Sequence, residues 1–562
     1  MEYDASMMRA RLQILTTIAA AAYLAGAAGC DAIWGVHPAK LYTTGAGAGG
    51  AGGAGGAGSS TSGGNAGAGG TGGSVQCSPG TSTACYSGPS DTEDVGICRG
   101  GTKTCNADGN GFGPCTGEVT PQAETCAGPA DEDCSGFDCV QWAKLFGGIG
   151  FQGASAVAVD AVGNVFLAGH FGGAIPLPGL AKTLTGAGDA FLIKLDPAGK
   201  PLWGESFGAP SVLTFVSELA IDAEGSVFLY GDVSGGVDLG GTTLAGPCIY
   251  VAKFSGEGQV LWAKGFGSGS TTGGPAIATT LQGDVVIGGA WKGPDINFGN
   301  GALHNGSSAF NGFIAALSGT DGAGLWSKSP CSDGLSTCAV RALAVDTGGV
   351  LHVAGTFAGQ ANFGAANSLT SVGVQDIMLA QLASNDGTPI LQKRIGGAGA
   401  TVSVSRLAPV NAEGAFIVGS ALGTVDLGGG SMTTTTEVSF AARYSANQSY
   451  LWSQVVDNVK IHGLGADSMG NAFLAGAPGG AFSIAGSPFP AGSDVFVAKL
   501  SAGGALVWNK LYYAGPAVRD LTVTDQGEPI MAGSVSKSDV DFGTGPLPNS
   551  GDNDAFVVKL SQ

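Results

Sequence analysis

Histidine and charged side chains are scarce in this sequence. Only five histidines occur among 562 residues, and none has the spacing of metal ligands. No P-loop, GxSxG elbow or HExxH motif is present. Asp and Glu outnumber Lys and Arg by 43 to 24, which gives a net charge of −19. This charge argues against nucleic acid or an anionic lipid surface as the partner, because both would be repelled.

The N-terminus has the pattern of an export signal. Arg9 and Arg11 precede an apolar run over 12–28, and small residues lie immediately before Cys30. Small residues before a cysteine resemble the bacterial lipobox, in which the cysteine is acylated and becomes the mature N-terminus. We predict a lipoprotein signal peptide over 1–29 and lipidation of Cys30. The alternatives are an ordinary signal peptide and an uncleaved anchor helix.

These features also predict where the protein lies. Lipidation of Cys30 would make the lipid bilayer its first partner, because several acyl chains hold a protein on a membrane. We expect an exported protein of the bacterial cell envelope. Its expected form is an outer-membrane lipoprotein that faces the periplasm or the exterior.

Residues 45–74 consist almost wholly of Gly, Ala, Ser, Thr and Asn. No side chain in this run can build a core, so we predict a disordered, flexible Gly/Ala-rich tether within 30–76. About 30 Gly-rich residues span roughly 30 Å by square-root scaling. The tether would hold the rest of the chain away from the bilayer.

Eight cysteines fall within 77–139, where large apolar side chains are few. They are Cys77, Cys85, Cys98, Cys105, Cys115, Cys126, Cys134 and Cys139. Disulfides would supply the order that a core normally gives, because an exported protein meets an oxidising compartment. Eight cysteines fit four bridges, but the pairing cannot be derived from sequence. Zinc is the competing interpretation, which the absence of a CxxC pair disfavours.

The segment 124–139 (ETCAGPADEDCSGFDC) is acidic and resembles Cys motifs of exported bacterial proteins that are described as metal-binding. Asp131, Asp133 and Ser135 match the opening of a calcium loop, but Trp142 occupies the position of the bidentate Glu. An acidic, solvated turn is the better supported interpretation. No cofactor is identified, and calcium stays open.

Residues 140–562 repeat one unit seven times. A strand that usually bears Trp recurs every 56 to 65 residues. Its aligned positions are Trp142, Trp203, Trp262, Trp326, Leu391, Trp452 and Trp508. An alternating strand pair recurs as well, as in 157–169 (VAVDAVGNVFLAG), and in five copies Asp or Asn precedes Gly by three residues. Because this is hairpin chemistry, we expect these recurring residues to be structural rather than a ring of ligands.

These blocks resemble the SBBP-type (seven-bladed β-propeller) repeat of bacterial exported proteins, with its WxxxxGG, AVDxxGNVYVxG and DAFVxKLxxxG motifs. The resemblance covers 140–562 and implies an all-β fold of seven four-stranded antiparallel blades. The region starts with an outermost-type strand, 140–146, and ends on a third-type strand, 554–560. We therefore predict that these two strands pair and close the ring.

Antiparallel blades place their tight turns on one face of the ring and their long connections on the other. Variable loops on a rigid scaffold usually carry recognition, so we predict ligand binding on the long-loop face. The candidate residues are His170, Asp232, Trp291 and Phe310. His170 and Asp232 occupy equivalent positions in neighbouring blades and could form an acid–base pair.

Three cysteines lie in the repeat region. Cys331 and Cys338 fall in one long connection, and we predict that a disulfide joins them. Cys248 opens a third-type strand and is most simply a buried thiol, with intermolecular pairing as the alternative.

The sequence thus predicts a membrane-anchored surface lipoprotein whose propeller binds a glycan, peptide or protein. One alternative is an exported propeller enzyme, a hydrolase or lyase, which would bring carboxylates or His together at the channel mouth. Another is a calcium-stabilised structural protein of the envelope. Exposed aromatic side chains on the long-loop face would favour the binding protein.

Overall fold

The computed structural model describes 77–122 except 91, then 131, 132 and 134, then 140–561 except 268–274, 294, 306–308, 332–335, 514, 537–538 and 550–551. Several predictions lie outside these residues, namely the signal peptide 1–29, Cys30, the tether 30–76, Cys126, Asp133, Ser135 and Cys139. Nowhere in the described ranges does a helix have the length and apolar character needed to cross a membrane.

Residues 77–122 are held together by disulfides. They contain one two-stranded antiparallel sheet, formed by Ser82–Cys85 and Gly101–Thr104. The disulfides are Cys77–Cys105, Cys85–Cys115 and Cys98–Cys134. The buried hydrophobic residues of the described part of this module are all cysteines, Cys98, Cys105 and Cys134. The predicted disulfide module is therefore confirmed for these six cysteines.

Residues 140–561 form seven four-stranded antiparallel sheets, called blades 1 to 7 in chain order. Blade 1 contains Gly150–Val159, Val165–Pro176, Thr183–Leu195 and Pro201–Phe207. Blade 2 contains Thr214–Ile221, Val227–Val233, Cys248–Phe254 and Val260–Phe266. Blade 3 contains Ala276–Thr279, Val285–Trp291, Asn311–Leu317 and Gly324–Lys328. Blade 4 contains Thr337–Val345, Val350–Ala358, Asp376–Ala383 and Pro389–Ile395.

The last three blades have the same order of strands. Blade 5 contains Thr401–Pro409, Gly414–Asp426, Ser431–Ser445 and Tyr450–Val456. Blade 6 contains Val459–Ala466, Ala472–Pro478, Val495–Leu500 and Leu506–Tyr512. Blade 7 contains Pro516–Val523, Pro529–Val535, Asp554–Leu560 and, from the beginning of the region, Val140–Phe146.

The first strand of each blade is the innermost strand, and the ring is closed. First strands of neighbouring blades contact each other all the way round, and Pro516–Val523 of blade 7 contacts Gly150–Val159 of blade 1. The predicted closure is confirmed, because Val140–Phe146 pairs antiparallel with Asp554–Leu560. Closure of this kind leaves no long unpaired strand edge.

The longer connections within blades contain regular structure of their own. In five blades the connection between the second and third strands forms a small hairpin. The hairpins are Val237–Leu239 with Thr242–Leu244, Ile296–Asn297 with Ala302–Leu303, Gln360–Ala361 with Leu369–Thr370, Phe482–Ile484 with Ser487–Phe489, and Asp539–Val540 with Leu547–Pro548. Blades 1 and 5 extend their second and third strands instead.

The hydrophobic core lies between the blades. The described propeller residues contain seven buried clusters, and each combines side chains from two neighbouring blades. The two middle strands of a blade are covered on both faces, so every residue of Val285–Trp291 and of Cys248–Phe254 is buried. This explains why these strands read as almost continuous apolar runs.

In five blades the recurring Trp connects the outermost strand to the next blade. The indole N–H of Trp142 donates a hydrogen bond of 2.9 Å to the carbonyl of Pro197 in blade 1. The equivalent bonds are Trp203 to Gly256, Trp262 to Gly319, Trp326 to Ser384 and Trp452 to Ala502. Gly199, in the turn that receives Trp142, has φ of +75°, and a Cβ there would lie 2.7 Å from the indole.

The recurring Asp of the first turn also supports the fold. In blade 2, Asp222 Oδ1 accepts a hydrogen bond of 2.8 Å from the backbone N–H of Ser226. Its Oδ2 lies 3.0 Å from Nζ of Lys253, which donates to the carbonyl of Gly319 in blade 3. The same ammonium lies 4.8 Å from the centre of the Phe228 ring. The prediction that these acids are structural is confirmed.

Candidate functional site

A β-bulge recurs at the same place in six of the innermost strands. At each bulge one residue has no partner in the pairing between the first and second strands. The six residues are Ser155, Ser217, Arg341, Ser405, His462 and Arg519. Bulges are common next to binding sites because the extra residue re-aims a side chain. None of these six was predicted as a site residue from the sequence.

The residue after the bulge is charged in three blades, and the three side chains meet. Arg406 Nη1 of blade 5 lies 3.3 Å from Glu218 Oε1 of blade 2, and its Nε lies 3.9 Å from Asp520 Oδ1 of blade 7. Arg406 Nη2 also donates a hydrogen bond of 3.3 Å to the carbonyl of Arg519. No two of blades 2, 5 and 7 are neighbours, so this triad crosses the central channel.

Burial dominates the electrostatics of the triad of Glu218, Arg406 and Asp520. Burial raises the pKa of Glu218 to about 7, which Arg406 opposes and Asp520 reinforces. Burial also raises the pKa of Asp520, although Arg406 and the backbone N–H groups of Val157 and Leu521 oppose the shift. Burial therefore favours the protonated, neutral form of both acids, whereas Arg406 favours their charged form.

His170 and Asp232 do not form the predicted acid–base pair. His170 lies between two aromatic rings, with centroid distances of 5.1 Å to Phe151 and 5.0 Å to Phe215. Its Nδ1 is buried and has no hydrogen-bond partner. Burial, and then Arg519, lower the pKa of His170 to about 4, whereas burial raises the pKa of Asp232 to about 6. Across the described residues no hydrogen bond or ion pair joins the two side chains.

Three of the bulge residues are His462, Arg341 and Arg519. Burial, together with the positive charges of Arg519, Arg406 and Lys460, lowers the pKa of His462 to about 4, so His462 is neutral at pH 7. Burial alone lowers the pKa of Arg341, with no carboxylate acting on it. The side chain of Arg341 is half-buried and that of Arg519 is exposed. Neither side chain has a hydrogen bond or ion pair to any residue that the structure describes.

Exposed apolar side chains surround the long-loop end of the channel. Ile149 is 86% exposed and Phe151 is 37% exposed, both at the start of the first strand of blade 1. Leu213 precedes the first strand of blade 2 and is 47% exposed. In blade 5, Leu422 pairs with Thr401 at the start of the first strand and is 40% exposed. Their positions in connections of variable sequence gave no repeating signal.

Two predicted ligand-face residues have different environments. Trp291 is 1% exposed and packs against Phe313 with a centroid distance of 6.2 Å, so it belongs to the core. An exposed role for Trp291 is therefore wrong, because blade 3 buries both faces of its second strand. Phe310 is half-buried, and Lys292 Nζ lies 5.7 Å from the centre of its ring.

The cysteine predictions in the propeller are confirmed. A disulfide joins Cys331 to Cys338, and both cysteines are buried. Cys248 is a buried free thiol, and its burial is the main cause of a raised pKa. None of these three cysteines therefore presents an exposed free thiol.

The calcium prediction stays a prediction. Asp131 is 6% exposed, whereas Asp133 and Ser135 lie outside the described residues. Within the part of the chain that the structure describes, no group of three or more His, Cys, Asp and Glu side chains could hold a metal ion.

The fold defines this chain as a closed seven-bladed β-propeller protein. No protein-family model matches the chain, and no curated protein matches it. Three solved structures are similar at low identity. The RRP9 WD40 repeats share 12% identity, with a TM-score of 0.41 and coverage of 74% of this chain and 97% of that one. Streptogramin B lyase shares 10% identity, with a TM-score of 0.38 and coverage of 74% of this chain and 97% of that one. BamB from Moraxella catarrhalis shares 13% identity, with a TM-score of 0.34 and coverage of 75% of this chain and 100% of that one.

Proposed function

We propose that this protein is an exported, lipid-anchored binding protein whose ligand docks at the long-loop end of the propeller channel. One observation carries the proposal. The innermost strands present Arg341 and Arg519 at this end, and the fold gives neither side chain a partner among the described residues. Ordering a long side chain costs free energy, and these two side chains form no ion pair that would offset that cost. Such side chains are typical of recognition surfaces.

The triad of Glu218, Arg406 and Asp520 gives this end of the channel a floor. The first strands begin at the long-loop end, and the bulge residues lie one position before the triad in each strand. A ligand that enters from the long loops therefore meets the bulge residues first and then the triad. We call the space above the triad the cup.

The exported propeller enzyme is not favoured. Among the described residues, no carboxylate forms a hydrogen bond with His170 or His462, and burial keeps both imidazoles neutral at pH 7. A general base or acid would need such a partner or a pKa closer to neutrality. The cup offers charge and apolar surface, which suit binding.

Replacement of Cys30 tests the anchor. If Cys30 is acylated, the Cys30→Ser variant will lose palmitate incorporation and move from the membrane fraction to the soluble fraction. Ala27→Leu is the matched control, because Leu is the usual residue at that place in a lipobox, and it should stay membrane-bound. Palmitate labelling of Cys30→Ser at the unaltered level would contradict the anchor.

A pair of leucines tests the binding face. Leu213 lies at the long-loop end of blade 2, and Leu281 lies in a tight turn of blade 3 on the opposite face, with exposed fractions of 47% and 58%. Ligands selected from peptide and glycan libraries on the full chain should bind Leu213→Asp at least about tenfold more weakly, since a buried charge in an interface costs more than about 1.4 kcal/mol. Leu281→Asp should bind normally. The reverse result would place recognition on the tight-turn face.

A further inference from the structure

We infer that the ligand of the cup is a peptide that inserts a carboxylate between Arg341 and Arg519. The inference rests on the proposed function and specifies the chemistry of the ligand. It also identifies these two arginines as the residues that determine specificity.

The pairing of the arginines provides the first support. Residues 140–562 contain five arginines. Three of them have a carboxylate partner, with distances of 3.0 Å for Arg394 to Asp376, 3.3 Å for Arg406 to Glu218 and 3.5 Å for Arg443 to Glu413. The two that have none among the described residues are Arg341 and Arg519, and both occupy bulge positions on the channel.

The overall charge makes this absence of partners informative. The chain carries 43 acidic residues against 24 basic ones, so a carboxylate is the commoner charged neighbour. Arg341 is nevertheless half-buried, and no carboxylate of the described residues pairs with it. Partial burial of an unpaired guanidinium is costly, and a bound anion would remove that cost. The cup is therefore a cationic site in an acidic protein, which focuses attraction for an anion.

The geometry favours a carboxylate held from two sides. Arg341 belongs to blade 4 and Arg519 to blade 7, so they lie at the same level on different sides of the ring. The backbone carbonyl of Arg519 accepts a hydrogen bond from Arg406, which fixes this strand to the floor of the cup. A guanidinium presents a planar fork of N–H donors that matches a carboxylate. Ser155 and Ser217 add hydroxyl groups at the same level, whereas the Ser405 hydroxyl donates to the carbonyl of Val418.

The mouth of the cup favours a peptide over a glycan. Its exposed apolar side chains are more often aliphatic than aromatic, with Ile149, Leu213 and Leu422 between 40% and 86% exposed, against 37% for Phe151 and 47% for Tyr513. Sugars stack on open aromatic faces, whereas the imidazole of His170 is enclosed between Phe151 and Phe215. Aliphatic residues around a cationic centre suit an extended peptide with apolar side chains and one acidic group.

The test uses the full chain with Cys30→Ser, so that it is free of lipid. The probes are a peptide array with four randomised C-terminal residues, printed as free acids, as amides, and as amides with one internal Glu. Tetragalacturonate is the acidic glycan probe. We expect binding to a subset of peptides and a loss of at least about tenfold when the carboxylate becomes an amide or Glu becomes Gln, as expected for a charge-assisted bidentate contact. Comparison of the free acids with the amidated peptides that contain Glu shows whether the carboxylate comes from the C-terminus of the peptide or from an acidic side chain.

Four variants complete the test. Arg341→Met and Arg519→Met should each weaken peptide binding at least about tenfold, and Arg341→Lys should weaken it less, because it keeps the charge but loses the fork. Lys264→Met removes an exposed cation from an outermost strand and should bind like the parent chain. Arg341→Met should melt no lower than the parent chain, so that weaker binding cannot be attributed to unfolding.

Three results would overturn the inference. The first is that both Arg341→Met and Arg519→Met bind peptides as tightly as the parent chain. The second is that the protein binds tetragalacturonate but none of the peptides. The third is that peptide binding is unchanged when the carboxylate is replaced by an amide. Each of these leaves the proposed function in place if Leu213→Asp still abolishes binding. Loss of the Leu213 effect would instead remove the long-loop face as the binding surface, and with it both proposals.

Discussion

Replacing Trp142 by Ala is expected to lower the free energy of unfolding by about 3–5 kcal/mol, the usual cost of removing a buried aromatic side chain. Trp142 is 7% exposed and lies in the cluster that joins blades 7 and 1. Its indole donates to the carbonyl of Pro197 across that interface. The strand that bears it also joins the beginning of the propeller to Asp554–Leu560 at its end. Urea denaturation followed by tryptophan fluorescence measures the change.

Leu202→Ala is the matched control for Trp142→Ala. Leu202 lies in the outermost strand of blade 1, next to Trp203, but its side chain is 44% exposed. Truncation of an exposed side chain should change stability by less than about 0.5 kcal/mol. Equal effects of the two substitutions would mean that the closing strand contributes no more than the surface of the ring.

Replacing Arg406 by Met is expected to destabilise the protein by about 3–5 kcal/mol at pH 8, because it leaves two buried carboxylates without their cation. Arg406 contacts Glu218 at 3.3 Å and Asp520 at 3.9 Å. The loss should be smaller at pH 5, because burial raises the pKa of both acids and their protonation relieves the uncompensated charge. Differential scanning calorimetry of the variant and the parent chain from pH 5 to pH 8 measures the difference.

The direction of this pH dependence follows from linkage. Burial raises the pKa of Glu218 to about 7 in the folded protein, so the folded state binds more protons than the unfolded state between about pH 4.5 and pH 7. Stability therefore falls as the pH rises through this window, and removal of Arg406 enlarges the fall. His170 and His462 act in the opposite direction, since both have pKa values lowered to about 4, and stability rises from about pH 4 to pH 6.5. Both histidines are present in Arg406→Met and in the parent chain, so most of their effect on stability cancels when the two proteins are compared.

The neutral triad is the control for Arg406→Met. A chain with Arg406→Met, Glu218→Gln and Asp520→Asn has no buried charge at this level. It should recover most of the lost stability at pH 8 and lose the part of the pH dependence that the two acids contribute. An Arg406→Met variant that is equally destabilised at pH 5 and pH 8 would show that packing of the arginine, and not its charge, is what the triad provides.

The repeated positions could be predicted from the sequence because the residue at each position has the same structural role in every blade. Trp142 and its equivalents must pack between blades, and the Asp that precedes Gly must close a hairpin. The phase of the repeat also predicted that the first and last strands pair. The burial of Trp291 could not be predicted from its own repeat, because burial on both faces of a strand depends on the neighbouring blades.

The candidate site could not be predicted in the same way. Ser155, Arg341 and Arg519 differ in type and are far apart in the chain, and each is the extra residue of a bulge. A bulge has no fixed sequence pattern, since it arises from the register between two strands. The triad depends on three blades that are not neighbours in the ring, so only the closed ring brings its members together.

By itself the sequence determined the number of blades, their strand order, the closing pair and the residues that pack between blades, because these depend on periodicity and on contacts within one repeat or between neighbours. Only the tertiary structure decided which side chains share the channel. Seven strands converge on one axis, and their convergence brings Glu218, Arg406 and Asp520 together while leaving Arg341 and Arg519 without a partner among the described residues.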